Sequence, residues 1–348
     1  MKRQSKKIKV GDIYIGGDSK ITVQSMLNIP AHDIEGNVLQ AQTLEKAGCE
    51  IIRVAVPDEQ AVKTVEALKK AVNVPIVAYI HFNHKLALMS IDAGVDKVRI
   101  NPGNIGADEN VKAVAEKCRK FGVPIRIGVN SGSVEKDILA RFGGPTPEAM
   151  AESAMYHVRL LEKYDFDDIV ISLKSSNVIN MIEAYERVAE MCSYPLHLGV
   201  TEAGTARMGL IKSSVGIGSL LTRGIGDTIR VSLTDDPVSE VYAGKDILKA
   251  IGFDDNSPRL VSCPTCGRTK IDLISLANEV EARLRDVKKN ITVAVMGCVV
   301  NGPGEAKEAD IGIAGGDGCA IIFKKGEILH KVQEDKIVDE LMAEIEKM

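Results

Sequence analysis

Hydrophobic positions along the chain fall into two alternating kinds of run. Short β-branched stretches at 21–24, 51–54, 75–79, 97–100, 124–127, 169–173, 196–199 and 228–231 predict eight strands. Between them, stretches such as 37–47, 59–71, 108–121, 147–164 and 178–191 repeat apolar residues every three or four positions and predict amphipathic helices. Strands that alternate with helices pair in parallel, each helix being the crossover. Eight such units over about 235 residues have the size of a (β/α)8 TIM-type barrel. A doubly wound sheet is the competing arrangement. Against it, no G-x-G-x-x-G follows a strand: after Gly216 and Gly218 the third glycine position holds Leu221. Ahead of the first unit, Ile8-Lys9-Val10, Ile13-Tyr14-Ile15 and Gly16-Gly17-Asp18 predict a short hairpin with a glycine-rich turn.

A last barrel helix is predicted over 237–251, and Gly, Asn, Ser and Pro then crowd into 252–258. This divides the chain into a barrel at 1–253, a linker at 254–258 and a second domain at 259–348. The second domain reads as a small α+β unit with a helix over 271–288, strands at 292–296, 310–314 and 319–324, and a closing helix over 337–347.

A barrel places its site at the C-terminal ends of its strands. There stand Gln24, Arg53, His81, Arg99 with Asn101, Arg126 with Asn130, Lys174, Glu202, and Arg230 with Ser232. One such Arg is ordinarily a solvated rim charge. Four Arg, a Lys and a His around one mouth would repel one another unless an anion sat among them. Guanidinium forks match phosphate oxygens, so the expected ligand carries a phosphate or diphosphate. Glu202 fits a counter-ion to an Arg or a proton donor beside a departing oxygen. His32, His84, His157, His197 and His330 are left as structural or unassigned.

Two further stretches carry metal chemistry: Cys263-Pro264-Thr265-Cys266-Gly267-Arg268, and Gly297-Cys298-Val299-Val300-Asn301-Gly302-Pro303-Gly304-Glu305. A Cys-x-x-Cys turn aims two thiolates at one centre, and Cys298 adds a third from a Gly/Pro-rich loop. Three soft ligands suit an iron–sulfur cluster or zinc. A structural zinc knuckle wants a fourth Cys or His. Cys319 opens an apolar strand and is expected to be buried; Glu305 lies in the right loop to complete a cluster. Cys49, Cys118 and Cys192 read as small core residues.

Composition narrows the field. The 348 residues are 45% hydrophobic and 26% charged, with a net charge of −4, which argues against a nucleic-acid binder. No apolar run reaches the ~20 residues of a membrane span, and the basic start 1–7 has no apolar segment behind it. Seven scattered cysteines make no disulfide framework and fit a reducing cytoplasm.

Longer runs of this sequence resemble a known family. Ser262 to Arg268, Met296 to Glu305 and Ala309 to Gly316 resemble the C-terminal signature of the 4-hydroxy-3-methylbut-2-enyl diphosphate synthases. The likeness extends through Val23-Gln24-Ser25-Met26, Val98 to Asn104, Ile127 to Ser133, Leu173 to Ser176, Gly199 to Gly204 and Gly226 to Thr234. It implies a [4Fe-4S] cluster held by Cys263, Cys266 and Cys298 with Glu305 as fourth ligand, in a sulfite-reductase-like domain. It also implies two-electron reductive opening of 2-C-methyl-D-erythritol 2,4-cyclodiphosphate, with ferredoxin or flavodoxin as donor. Two departures stand out. Leu27-Asn28-Ile29 replaces a hydroxyl-rich Thr-Asn-Thr, and Tyr79-Ile80-His81-Phe82 replaces Asp-Ile-His-Phe, so an acidic residue is missing. Beside this reading stand a non-redox lyase or aldolase with Lys174 as a Schiff-base lysine and a zinc knuckle, and a protein binding RNA through that knuckle. Barrel geometry delivers the last helix to the face opposite the mouth, so a head-to-tail homodimer is expected, each second domain serving its partner's barrel.

Overall fold

The computed structural model describes residues 2–253, 257–285, 287–299, 306 and 308–348; the expected ligand Glu305 lies outside the described residues. Two compact units follow one another, Met1–Phe253 and Asp254–Met348.

The first unit begins with a hairpin, β1 (Ile8–Val10) and β2 (Ile13–Ile15), paired antiparallel with Ile8 opposite Ile15. Its turn is Gly11-Asp12, with Gly11 at φ 57°, a conformation that glycine adopts without steric cost. The Gly16-Gly17 pair expected to form the turn follows the hairpin instead. Eight parallel strands come next: β3 (Thr22–Met26), β4 (Ile51–Ala55), β5 (Ile76–Tyr79), β6 (Lys97–Ile100), β7 (Ile125–Asn130), β8 (Ile169–Lys174), β9 (His197–Leu198) and β10 (Thr228–Ile229). They pair in the order β8-β7-β6-β5-β4-β3-β10-β9, and a parallel bridge from Ile171 to Leu196 joins the two ends. The sheet is a barrel. Where β9 and β10 are short, a side chain ties the strands: the buried Asp227 carboxylate accepts from the Leu196 N–H at 2.9 Å and from Ser5 Oγ at 2.7 Å.

Helices α1 (Ile34–Lys46), α2 (Val62–Ala71), α3 (His84–Asp92), α4 (Asp108–Phe121), α5 (Lys136–Phe142), α6 (Pro147–Glu162), α7 (Val178–Met191), α8 (Ala206–Thr222) and α9 (Pro237–Ala250) surround it. Several start where a short polar side chain takes an orphan N–H of the first turn. Asp33 accepts from Gly36, Thr146 from Ala149, Asn177 from Ile179 and Asp236 from Val238. Sequence periodicity does not reveal α3, α5 or α8. In α8 the glycines at 209, 216 and 218 lower helix propensity, and Gly209, Ser213 and Gly216 interrupt the aliphatic part of its buried face, Ile217, Leu220 and Leu221.

Alternation along the strands decides what faces where. Ile52, Val54, Ile76, Ala78, Val98, Ile100, Ile125, Ile127, Val129, Ile169, Ile171 and Leu173 join the core beneath the helices. The intervening residues point into the barrel. At its lower end Ile51, Val77 and Val170 pack against Ile8, Val10 and Ile15 of the hairpin, which plugs the barrel with apolar side chains. Above that plug the interior turns polar.

The second unit is a five-stranded sheet in the order β11 (Arg259–Ser262), β12 (Thr292–Met296), β13 (Ile311–Gly316), β14 (Cys319–Lys324), β15 (Glu327–Gln333). The first three strands run parallel and the last two antiparallel. Helix α10 (Leu273–Leu284) and the C-terminal helix Ile337–Glu346 share a core with the sheet that includes Val280, Leu284, Val293, Ile311, Ile322, Leu341 and Ile345. Cys319, expected to be buried, is half-buried at the first position of β14. Strands β11 and β15 escaped the sequence reading because both are mostly exposed and carry little apolar alternation.

Candidate active site

Strand register sets the side chains of the barrel mouth side by side. Tyr79 on β5 is paired with Arg99 on β6, Arg99 with Arg126 on β7, and Asn130 at the end of β7 with Lys174 on β8. Together with Arg53 on β4 and Arg230 after β10 they line a cavity of about 130 Å³, whose remaining walls are Gly128, Ser172 and Thr201. Five cationic side chains therefore face one small space. Gly128 is required by its neighbour: a Cβ there would lie 2.5 Å from Nε of Arg99, whose Nη2 donates to the Gly128 carbonyl at 2.6 Å. A larger cleft, about 610 Å³, lies at the opposite face between the hairpin and the starts of the strands. Its charges do not converge, and Lys20 there is already paired with Glu50.

The cations of the mouth are poorly compensated. Arg230 is held by Glu240 of α9, with Nη2 3.1 Å from both carboxylate oxygens. The same carboxylate accepts from Ser25 Oγ at 3.0 Å. The guanidinium of Arg53 meets a thioether, its Nε and Nη2 lying 3.1 and 2.8 Å from Sδ of Met26, a weak acceptor. Arg126 Nη1 donates to Gln24 Oε1 at 3.3 Å while its Nε has no partner among the described residues. The Tyr79 ring lies under both Arg99 and Arg53, with centroid distances of 4.5 and 5.1 Å, so the negative face of the ring takes the place of the missing acid. Burial above all, and then the neighbouring Arg230, Arg53 and Arg126, holds the Lys174 amine well below the ordinary lysine range. Burial and then Arg230, Arg126 and Arg99 act likewise on Arg53. The charge of such a pocket is unfavourable to the free fold, and an anion entering it relieves that repulsion.

Of the residues expected at the mouth, Arg53, Arg99, Arg126, Asn130, Lys174 and Arg230 line this cavity. The others stand outside its lining. Asn101 is buried and its Oδ1 accepts from the Gly128 N–H at 2.9 Å, bracing β6 against β7. His81 is exposed, its ring tilted by 47° against that of Tyr79 with centroids 4.2 Å apart, and burial followed by Arg99 and Arg53 lowers its pKa. Ser232 is half-buried and Glu202 exposed. Glu202 adopts φ 50°, a left-handed conformation costly for a non-glycine residue and concentrated at functional sites. Sequence reasoning missed Tyr79, Ser172, Thr201 and Glu240. Period-two alternation through Arg126 and Lys174 reaches Ser172; nothing local marks Glu240 as the partner of Arg230, ten residues away on a helix.

In the second unit, two thiols come from neighbouring strand ends. Cys263 follows β11 and its Sγ accepts from the Gly297 N–H at 3.2 Å. Cys298, directly after that glycine, is buried. The Lys270 N–H donates to the Gly297 carbonyl at 2.9 Å and so ties the Cys-x-x-Cys loop to the Cys298 loop. Cys266 is exposed, and hydrogen bonds from the Arg268 backbone and side chain hold its thiol below the ordinary range. Among the described residues no three of these side chains stand together in ligating geometry. The donor chemistry nonetheless fits a soft metal centre: one sulfur already accepts a backbone N–H, and a second favours the thiolate.

An α/β barrel with a pocket of buried cationic side chains, followed by a cysteine-bearing α+β unit, defines a class of two-unit proteins. The chain belongs to the GcpE family: the GcpE TIM-barrel domain matches residues 5–245 and the GcpE protein C-terminal domain residues 259–347. A relative from Caldanaerobacter subterraneus subsp. tengcongensis named 4-hydroxy-3-methylbut-2-en-1-yl diphosphate synthase (flavodoxin) is 59% identical, over 100% of this chain and 98% of its own. One of the same name from Clostridium perfringens is 56% identical over 99% of both chains. Among solved structures, 3-dehydroquinate dehydratase from Geobacillus kaustophilus matches 72% of this chain and 99% of its own, with a TM-score of 0.52 at 16% identity. A dihydropteroate synthase from Xanthomonas albilineans covers 71% of this chain and 97% of its own, with a TM-score of 0.51 at 14% identity. Both show the barrel fold alone.

Burial of uncompensated amines has a sign that stability measurements can read. An unfolded lysine stays protonated up to its ordinary value of 10.5, whereas Lys174 and the equally buried Lys97 give up the proton well below it. Across that window the unfolded chain holds more protons, so stability rises with pH. The rise slackens near pH 9, the ordinary thiol value, above which buried Cys49, pushed up to about 12, begins to favour unfolding. Denaturant unfolding of the anion-free chain should therefore gain up to about 1.4 kcal/mol per pH unit per neutral amine between pH 7 and 9. A flat or falling profile over that range would show both amines charged in the fold.

Proposed function

We propose that this chain reduces 2-C-methyl-D-erythritol 2,4-cyclodiphosphate to 4-hydroxy-3-methylbut-2-enyl diphosphate, with flavodoxin as its electron donor, in the cytoplasm. The observation that carries the reading is the pocket of Arg53, Arg99, Arg126, Lys174 and Arg230, in a chain whose relatives of matching length are named for this diphosphate product. The relatives' names print flavodoxin, which favours it over ferredoxin.

In this reading the five cations hold the bridged diphosphate. They stabilise the charge that grows on the phosphate oxygen as the ring opens, so the interaction strengthens toward the transition state. In acid forms, two electrons and two protons enter and one water leaves. Asn130 and Ser172 orient the carbon skeleton from the pocket wall, while His81, Asn101 and Ser232 support it from outside that wall. Glu202, exposed and strained beside Thr201, protonates the departing hydroxyl. A [4Fe-4S] cluster held by Cys263, Cys266 and Cys298, with Glu305 as the fourth ligand, would supply electrons one at a time.

The chain acts as a head-to-tail homodimer. Lys245 of α9 donates to the carbonyl of Ala47, just ahead of β4, at 2.8 Å. The last barrel helix thus ends at the strand starts, away from the pocket. A closed two-fold arrangement brings each second unit to the partner's barrel.

Anaerobically purified protein should be brown, carry about four iron per chain, and convert the cyclodiphosphate in the presence of reduced flavodoxin. Cys263→Ser, Cys266→Ser and Cys298→Ser should each lose the iron while Cys319→Ser keeps it. Colourless protein with one zinc would overturn the redox reading. Mixing Glu202→Ala chains with Cys298→Ser chains should restore up to one working site per heterodimer. Proven subunit exchange without recovery would mean that each chain serves its own barrel.

A further inference from the structure

Beneath the pocket the barrel holds further buried polar side chains, among them Lys97 and His197, that the reaction does not use. Lys97 opens β6, two residues before Arg99, and so points into the barrel; it is fully buried. Its Nζ has no hydrogen-bond partner among the described residues, and the same holds for both ring nitrogens of buried His197, for Gln24 Nε2, Thr22 Oγ1 and Arg126 Nε. Buried polar atoms are almost always partnered, and a cluster of exceptions calls for a reason.

The surroundings of Lys97 supply one. The charged groups facing it are Arg126 on β7 and Arg53 on β4, with His197 across the barrel on β9. Asp96, its chain neighbour, is the smallest influence and acts the other way, favouring the charged amine; its Oδ2 accepts from Lys69 Nζ at 2.6 Å and from the Ile76 N–H at 2.7 Å. Tyr185 from α7 donates to the carbonyl of His197 and leaves both imidazole nitrogens free. An ammonium ion here would be desolvated, unpaired and beside two guanidinium groups, the most costly arrangement for a charge. A neutral amine is tolerated. Burial first, then Arg126 and Arg53, lowers the Lys97 pKa well below the ordinary range.

Anion binding reverses that balance. A diphosphate in the cavity lined by Arg53 and Arg126 neutralises the two groups that repel a proton from Lys97, and adds negative potential in a poorly screened interior. We propose that Lys97 couples anion binding at the barrel mouth to proton uptake. The free chain keeps the amine neutral, and a docked diphosphate draws one proton from solvent onto it. This rests on the pocket being the diphosphate site. The role is a positioning one, since the ammonium ion acts on the ligand through Arg126 and Arg53. By linkage, the ligand binds more weakly as pH rises.

The test is titration calorimetry of the full chain with 2-C-methyl-D-erythritol 2,4-cyclodiphosphate, anaerobically and without reductant. The ligand's bridged phosphates have no proton that titrates near neutrality. Repeating the titration at pH 8 in buffers of different ionisation enthalpy reads the protons taken up. Wild type should take up one to two protons per site, Lys174 contributing its own share. Lys97→Met should take up about one fewer, bind about tenfold more weakly, and melt at a higher temperature when free. His197→Gln should retain the wild-type uptake. In wild type, 13Cε-labelled lysine spectra should show one further amine, besides Lys174, moving from neutral to charged on ligand addition. That measurement decides the matter if the variant fails to fold. Binding with the same uptake in wild type and Lys97→Met, or with no uptake at all, overturns the inference alone. Absence of binding overturns the pocket reading and the inference with it.

Discussion

Everything at the mouth of this barrel follows from positive charge concentrated in a small cavity without enough negative charge to match it. Arg53, Arg99, Arg126, Lys174 and Arg230 face one space, and the carboxylate that meets them, that of Glu240, is committed to Arg230, Ser25 and the Leu233 N–H. The remaining compensation is weak: a thioether for Arg53, a carbonyl for Arg99, a tyrosine ring under both. In a solvent-filled cleft such groups would spread apart. Here parallel strands fix their spacing, and Glu240 engages Arg230 while Arg53, Arg99, Arg126 and Lys174 are left to a ligand.

The same strands determine how deep that polar interior runs. Inward positions are apolar only at the bottom, where Ile8, Val10 and Ile15 of the hairpin close the barrel on Ile51, Val77 and Val170. Above them, the inward side chains of Gln24, Lys97, Arg126 and His197 are buried and lie outside the hydrophobic clusters. Stability thus resides in the plug and in the helix-covered outer face of the sheet, and the interior is left free for electrostatics. Such a division explains how the fold tolerates a set of buried cations that no ordinary core would accept.

Much of this was legible in the sequence because it is periodic. All eight barrel strands overlap the strand-like runs, and Arg53, Arg99, Arg126 and Lys174 could be placed at the mouth from their positions near strand ends. What stayed hidden depended on non-local contacts. Tyr79 reads as a departure from the family pattern, and only the register of β5 with β6 puts its ring beneath two guanidinium groups. Glu240 looks like any first-turn helix acid until α9 packs against β3. Lys97 opens a strand like many exposed lysines, and only barrel closure buries it. Helix α8 was obscured by its glycines, and Cys319 proved half-buried because β14 begins at that residue rather than enclosing it.

The central claim is that the uncompensated cations of the mouth are the seat of the diphosphate. A crystal structure of the full chain grown anaerobically with the cyclodiphosphate, and without reductant, tests it directly. The account predicts both phosphates inside the cavity, within hydrogen-bond distance of Arg99, Arg126 and Lys174, with Arg53 turned from the Met26 sulfur onto a phosphate oxygen. A bound ligand whose phosphates lie elsewhere, with Arg53 still against Met26, would contradict it.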